Sequence, residues 1–569
     1  MANSESQELD LNESVSVERQ AQTPLPGGKK GGWITFPFVI GSFMGLALTG
    51  GGLTANLMVY LIQEIHVKSI DATQISNVVS GCVNFFPIVG AIIADSSLGC
   101  FSVVLISSCI TLLGMTLLNL TATLDPLRPL TCERESSFCK LPSKLQLAVL
   151  YGGIAVVSIG IGGWHLTMAT VGANQFDKHE DQEIFFNWYF FTFYTSAVIS
   201  STAIVYIQDN VSWAWGFGIC VVSSLIGSTI LLLGKRFFHR DKPQSSPFIG
   251  LARVVVASIK KRKVLLSSRI EDYYYGRDHG KAKTVDVTPS KSFRFLNGAA
   301  LKTEGDLTDE EGSIAKPWRL CTIQQVEDFK NLMRIFPLWS SSIFLSTPIA
   351  ILLSLTILQA LTMDVHLGPH FKIPASSILV LVLITTSIFL TLIDHLLCPT
   401  WQKLTRHSPT PLQQIGLGHV LNILSMVVSA LVESKRLRVA HNLANSNIVP
   451  MLAVWLFPQL KLAGIGEAFH FPGQVSLYYQ EFPASLRNTA TAMVSMVIGI
   501  AFYLSTALID LVRRVTAWLP DDMNRGRLDN VYWTVVVIGV LNFGYYLVCA
   551  KLYKYQNNVD HEQVVNTEC

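Results

Sequence analysis

The chain is short of charge where a soluble protein would carry it. Residues 33–234 and 331–550 hold 39 charged side chains in 422 positions, about 9%, against about a quarter in an average soluble domain. The net charge is only +3, so there is no basic excess with which to hold a nucleic acid. CxxC, HExxH and Gly-rich phosphate-loop patterns are absent from the sequence, so no metal, cofactor or nucleotide-driven pump is expected. No catalytic cluster stands out either, which argues against an enzyme. The first 32 residues have no apolar run behind a basic head and read as a polar cytosolic tail, with no cleavable signal. Residues 556–569 read the same way. Of ten scattered cysteines, six lie in or beside apolar runs and act as small hydrophobes. Cys132 and Cys139 are the one candidate disulfide.

What is present is apolar sequence in long runs, half of all residues being hydrophobic. A helix crosses a hydrocarbon core of about 30 Å with about 20 such residues. Twelve runs qualify: 36–62, 77–94, 101–124, 147–173, 185–208 and 211–234, then 335–360, 373–393, 412–432, 447–469, 489–509 and 530–550. Continuous runs predict helices and exclude a barrel of alternating strands. The expected class is therefore all-α and polytopic, with a tail at 1–32, a six-helix half at 33–234, a cytosolic linker at 235–330, a second half at 331–555 and a tail at 556–569. The linker holds 19 Lys/Arg and 12 Asp/Glu. Its basic run Lys260, Lys261, Arg262, Lys263 places it, and both termini, in the cytosol. Lys435, Arg436, Arg438, Arg513, Arg514, Arg525 and Arg527, in connections assigned outside, blur that signal. From Pro247 to Ser267 an amphipathic stretch suits the surface of anionic lipid, or bridges the halves as a solvated helix. Ser267, Ser268 and Ser290 are candidate targets of kinases.

The connection between the second and third spans of each half opens on an aspartate, Asp95 in ADSSLG and Asp394 in IDHLLCP. Two six-helix halves with a long cytosolic loop form the layout of a major-facilitator transporter, with its substrate site between the halves. Several motifs narrow this: Gly172-Ala-Asn-Gln-Phe-Asp177, Phe185-Phe-Asn-Trp188, Asn56-Leu with Tyr60-Leu, Phe336-Pro-Leu-Trp339, Gly464-Ile-Gly-Glu467, and Phe482-Pro483 with Arg487. Together they resemble the plant nitrate/peptide transporter family, relatives of the proton-coupled oligopeptide transporters. That resemblance implies a plasma-membrane carrier. It also implies that Asp95, Asp394 and Arg487 are gate and loop contacts. Proton-coupled members carry Glu-x-x-Glu-Arg/Lys in the first span, at positions that align here with Phe43, Leu46 and Ala47. A fourth-span lysine and a tenth-span glutamate of the family align with His165 and Ser476. Such losses resemble the nitrate-excretion subgroup, whose close relatives are implicated in chloride movement.

Chemistry alone points the same way, because proton coupling needs a buried group that titrates during the cycle. The first span has no ionisable residue between Trp33 and Gln63. The other spans offer His165, His419, Lys461, Glu467 and His470, besides groups near their ends. A small anion sheds water on entry and needs donors in return. His165, between Trp164 and Thr167, supplies one at either protonation state, or merely braces a neighbouring helix. Gln474 and Ser476 are donors from the tenth span, Ser476 being equally readable as a small packing residue. Asn187 reads as a helix brace, Glu467 as structural, and Lys461 as a snorkelling or path residue. The expected function is passive, potential-driven efflux of nitrate by alternating access, with transport of chloride or a larger organic anion, or proton-coupled nitrate/peptide symport, as alternatives, and a non-transporting sensor as a distant one.

Overall fold

The computed structural model describes residues 31–128, 142–239, 247–276 and 289–553, apart from 268, 291, 304, 307–315, 370, 407–408, 443–447 and 483–489. Cys132, Cys139, Ser268 and Arg487 lie outside the described residues. Eleven of the described helices are long and apolar enough to cross a membrane. A twelfth, Phe457–Glu481, has 25 residues; Lys461, Glu467, His470 and Glu481 lower its hydropathy. The spans form two six-helix halves, as expected. Gly31 N donates to Phe237 O at 2.8 Å and Gly32 N to Gln175 O at 2.7 Å, so the start of the first span lies beside the linker. We call this the linker side and the opposite one the far side.

The internal duplication has a backbone counterpart. The second span, Ser69–Ile93, runs into a π-turn at Ala94–Leu98, and the eighth, Val380–Leu392, into another at Ile393–Leu397. Asp95 and Asp394 take the second place in their respective turns. A π-turn widens the helix by one residue and is concentrated at functional positions. Further breaks interrupt three spans. The first divides into Phe36–Thr54 and Leu57–Gln63, and the fourth into Lys144–His165 and Thr167–Ala173. The fifth carries a third π-turn, Ser200–Ile204, between His179–Ile199 and Val205–Asn210.

Several boundaries differ from those read in the sequence. The seventh helix, Ile323–Leu361, extends well before 335, capped by Thr322, whose hydroxyl accepts from Gln325 N. The ninth, Pro411–His441, runs nine residues past 432. Its extension is charged yet buried. Glu433 and Arg436 have no exposed side-chain surface and pair in a bidentate fork at 2.7 and 2.8 Å. Gln359 Nε2 donates to Glu433 at 2.7 Å, and Arg436 donates to Thr362 at 3.0 Å and Asn524 at 2.6 Å. Arg436 is thus a bundle residue and not a loop charge. The tenth span begins at Phe457 and not at 447, because Val449–Leu452 forms a short strand parallel to Met363–Asp364. Glycines close the helix pairs. A Cβ on Gly45 of the first span would lie 2.6 Å from Ser223 O of the sixth, and one on Gly114 of the third 2.5 Å from Val157 N of the fourth.

The linker helix Pro247–Lys260 ends short of Ser267. Lys261 turns inward: its Nζ meets Asp306 at 2.7 Å and Leu301 O at 2.6 Å, and Arg319 meets the other Asp306 oxygen at 3.2 Å. The basic run is therefore split, with Lys260, Arg262 and Lys263 exposed and Lys261 buried. Burial alone would raise the Asp306 carboxyl. The hydrogen bonds from Lys261 and Thr303 outweigh it and hold the group below the usual carboxylate range.

Candidate functional site between the halves

The first span explains what fills the place of missing charge. Phe43 and Leu46 are fully buried. Phe43 stacks on Tyr189 of the fifth span at 4.1 Å and meets Trp164 of the fourth edge-on at 6.1 Å. An aromatic cluster therefore forms at Phe43, one of the positions that align with the Glu-x-x-Glu-Arg/Lys motif. Ring stacking adds about 0.5–1.5 kcal/mol to the burial of each pair, and nothing in the cluster takes up a proton at physiological pH.

His165 ends the first piece of the broken fourth span. Its carbonyl accepts from the Tyr189 hydroxyl at 3.0 Å, its ring lies 6.0 Å from Phe193, and its Nδ1 has no partner. Thr167, buried at the start of the second piece, has an unpartnered hydroxyl. The break thus gathers polar atoms, the local condition for a donor site. Trp164 is 1% exposed with an unpartnered Nε1. It packs inward toward the first span, where a Cβ on Gly50 would lie 3.7 Å from its ring.

From the other half, Thr386 Oγ1 of the eighth span donates to Gly464 O at 3.1 Å and reaches Glu467 Oε2 at 3.5 Å. Tyr194 of the fifth span lies within electrostatic reach of Glu467. The hydrogen-bond partner of Glu467, Thr386, belongs to its own half, and among the described residues no ion pair of Glu467 is present. Gln474 is fully buried with both amide atoms unpartnered, whereas Ser476 is half-buried and accepts from Gln480 at 3.2 Å. Ser476 lies roughly 180° around the helix from Glu467, so those two do not line one face. His419 is buried against Tyr546, 4.6 Å away, and His470 Nδ1 meets Gly466 O at 3.0 Å, both inside the second half. Asn187 and Lys461 are exposed.

The residues that join the halves were missed as a set. On the far side Ser376 Oγ donates to Asn56 Oδ1 at 2.6 Å, and Asn56 Nδ2 to Asp209 at 2.9 Å. Arg513 pairs with Asp71 at 2.5 Å and Asp521 at 2.9 Å, and Lys68 with Asp521 at 2.9 Å. Deeper, Asn77 donates to Ser505 at 3.2 Å, Tyr503 to Cys82 at 3.1 Å and Ser495 to Asn84 O at 2.9 Å, all between the second and eleventh spans. These contacts draw the far ends of the halves together. In the sequence Asn56 stands out only as part of a family motif; its partner Ser376 carries no such mark.

Known proteins place this arrangement. The PTR2 domain of the POT family matches residues 101–524. Two proteins of Arabidopsis thaliana, Protein NRT1/ PTR FAMILY 2.3 and Protein NRT1/ PTR FAMILY 2.7, are 53% and 54% identical over 96% and 97% of the chain and 98% and 99% of their own lengths. Protein NRT1/ PTR FAMILY 2.13 is 37% identical over 93% of the chain and 88% of its own. Among solved structures, the POT family transporter PepTSo superposes with a TM-score of 0.68 at 15% identity, covering 92% of this chain and 99% of that one. A POT peptide transporter in complex with sulfate gives 0.62 at 12%, covering 92% and 97%. By the family match and these relatives, the chain belongs to the NRT1/PTR branch of the POT family of membrane transporters.

Proposed function

We propose that this protein moves nitrate across the plasma membrane by alternating access, as passive efflux driven by the membrane potential and without proton coupling. The observation that carries this reading is the Phe43–Tyr189–Trp164 cluster, which leaves the first span without a titratable side chain at the coupling position. A monovalent anion leaving a negative-inside cell gains about 2.3 kcal/mol per 100 mV, so export needs no other drive. His165, Thr167 and Gln474 are the proposed donors, offering unpartnered nitrogen or hydroxyl groups to an anion that has shed water. Trp164 serves this site from behind, as a wall. Asp95, Asp394 and Arg487 keep the gating roles that the family resemblance implies, Asn187 that of a helix brace, and Ser476, bonded to Gln480, that of a small packing residue and not a donor.

With Arg436 removed from the loop charges, the exposed Lys260, Arg262 and Lys263 weigh more heavily for a cytosolic linker and cytosolic termini. That side also exposes the linker to kinases and to anionic lipid. Chloride and larger organic anions fit the same donor set.

Proton-linked transport is the second reading, favoured by Glu467, a carboxyl inside the tenth span with a threonine as its hydrogen-bond partner. Purified protein in liposomes separates the two. Nitrate flux that follows an imposed potential at equal pH supports the uncoupled mechanism, and flux that follows a pH gradient at zero potential overturns it. Protein that binds nitrate with no flux under either gradient is a sensor.

A further inference from the structure

The linker helix Pro247–Lys260 is apolar on two opposite faces. One of them is used: Val254 and Ala257 are fully buried and pack with Leu296, Ile323 and Val326. The other is open. Ile259 is 58% exposed, and past the end of the helix Leu265 is 91% exposed and Phe295 66%. The segments that carry them touch, since a Cβ on Gly298 would lie 3.7 Å from Lys261 O and 4.0 Å from a Leu266 methyl carbon. The same segments expose Lys260, Arg262, Lys263 and Arg294. Residues 247–266 and 293–300 contain no acidic side chain.

The patch stands clear of the bilayer. Leu251, near the start of the helix, packs against the cluster of Ile335 and Leu338, where the seventh apolar run begins, whereas Val254 and Ala257 pack with Val326 and Ile323. Ile323 opens its helix twelve residues before Ile335, about 18 Å along the axis. A headgroup layer is only about 5–8 Å deep, so the far end of the linker helix is out of its reach. An apolar surface ringed by cations in water calls for an apolar partner with carboxylates.

The chain itself carries one. Residues 5–18 include Glu5, Glu8, Asp10, Glu13 and Glu18 and no basic residue, with Leu9, Leu11, Val15 and Val17 among them. This segment enters from the linker side, because Gly31 is bonded to Phe237. It is also long enough. A Cβ on Gly31 would lie 3.7 Å from that of His239; the eight residues from there to Pro247 span at most about 29 Å, and the linker helix adds about 21 Å. Glu18 and Glu5 are 13 and 26 residues from Gly31, at most about 47 and 94 Å.

We propose that residues 5–18 dock on this patch, their carboxylates on Lys260, Arg262 and Lys263 and their apolar side chains on Ile259, Leu265 and Phe295. Covalent attachment supplies the segment at about millimolar effective concentration, so individually modest contacts suffice. The tail leads into the first half and the patch is built on the seventh helix, so the docked tail bridges the halves on the linker side. The docking needs only that tail and linker share a side, and it holds whichever anion is carried.

The test is carbodiimide cross-linking of the full-length protein in nanodiscs of uncharged lipid at low salt, followed by peptide mapping. Links are expected from carboxylates of residues 5–18 to Lys260 or Lys263, severalfold above those to Lys235, which is exposed and lies two residues from the Gly31 contact. Salt at about 1 M, where the screening length is about 3 Å, should remove most of them. So should the triple substitution Ile259→Ser, Arg262→Gln and Leu265→Ser, which keeps both lysines and changes only exposed side chains. If that variant does not fold, Leu9→Ser with Leu11→Ser should give the same loss from the tail side. In a mixture of light and heavy-isotope protein the links should stay within one isotope. Links spread evenly over exposed lysines, links that survive the substitutions, links from Asp560 or Glu562 in their place, or links between isotopes would overturn the proposal.

Discussion

Arg436 shows how far a single residue can mislead when read without its neighbours. In sequence it is one of several cations near a helix end. In the fold it is a fully buried donor, with its fork on Glu433 and further bonds to Thr362 and Asn524. Removing one partner of such a pair strands the other charge. Arg436→Met should therefore destabilise the protein by about 3–5 kcal/mol, read as a large fall in thermal unfolding temperature in detergent. The double substitution Arg436→Met with Glu433→Gln should recover part of the loss. His165 lies at the opposite pole, half-buried at a helix break with Nδ1 free. His165→Ala should cut nitrate flux in liposomes while leaving unfolding temperature nearly unchanged. Unchanged flux would return His165 to a bracing role.

At the level of elements, the third and fourth spans are set by glycine. A Cβ at Gly114 would meet backbone atoms of Val157, which cannot rotate away as a flexible side chain could. Gly114→Ala should lower the unfolding temperature, whereas Gly218→Ala, with open space around its Cβ, should not. The linker is held by chemistry of another kind, the Lys261–Asp306–Arg319 hook. The folded Asp306 carboxyl lies below its ordinary range, so the hook contributes stability above the unfolded pKa of about 3.9 and loses it as pH falls through the lower folded value. Protease accessibility of the linker should accordingly stay constant from neutral pH down to about 4 and rise only below it. Asp306→Asn should raise it at neutral pH as well.

For the whole molecule, the decisive feature is that two halves meet through pairs that must break for the far side to open. Asp71–Arg513 and Lys68–Asp521 are exposed or half-exposed ion pairs, each of modest worth, whereas Asn56–Ser376 is buried. Ser376→Ala should therefore weaken the closed state more than Lys68→Gln. The measurement is the labelling rate of a cysteine placed at Asn77 with a membrane-impermeant thiol reagent, in a background cleared of native reactive cysteines. Equal rates in the two variants would show that the buried Asn56–Ser376 pair holds the gate no more tightly than the surface ion pair does.

Twelve spans, two halves and the family were legible in the chain because long apolar runs and local motifs are properties of contiguous residues. The ends of the ninth and tenth helices were not: Glu433 and Arg436 pair within one turn but are buried among Gln359, Thr362 and Asn524 from distant segments, and the tenth starts late because Val449–Leu452 pairs with Met363–Asp364, and such partners are invisible in a local window. The same holds for the site. That the first span lacks a titratable group could be read from its residues alone. That Phe43 is packed by Tyr189 and Trp164, that Glu467 reaches Thr386 while Ser476 bonds to Gln480, and that Asn56 finds Ser376 across the seam were decided by the tertiary structure, because each depends on the rotation of one helix or turn against another. Hydropathy placed the helices in the membrane. Packing chose which of their faces meet.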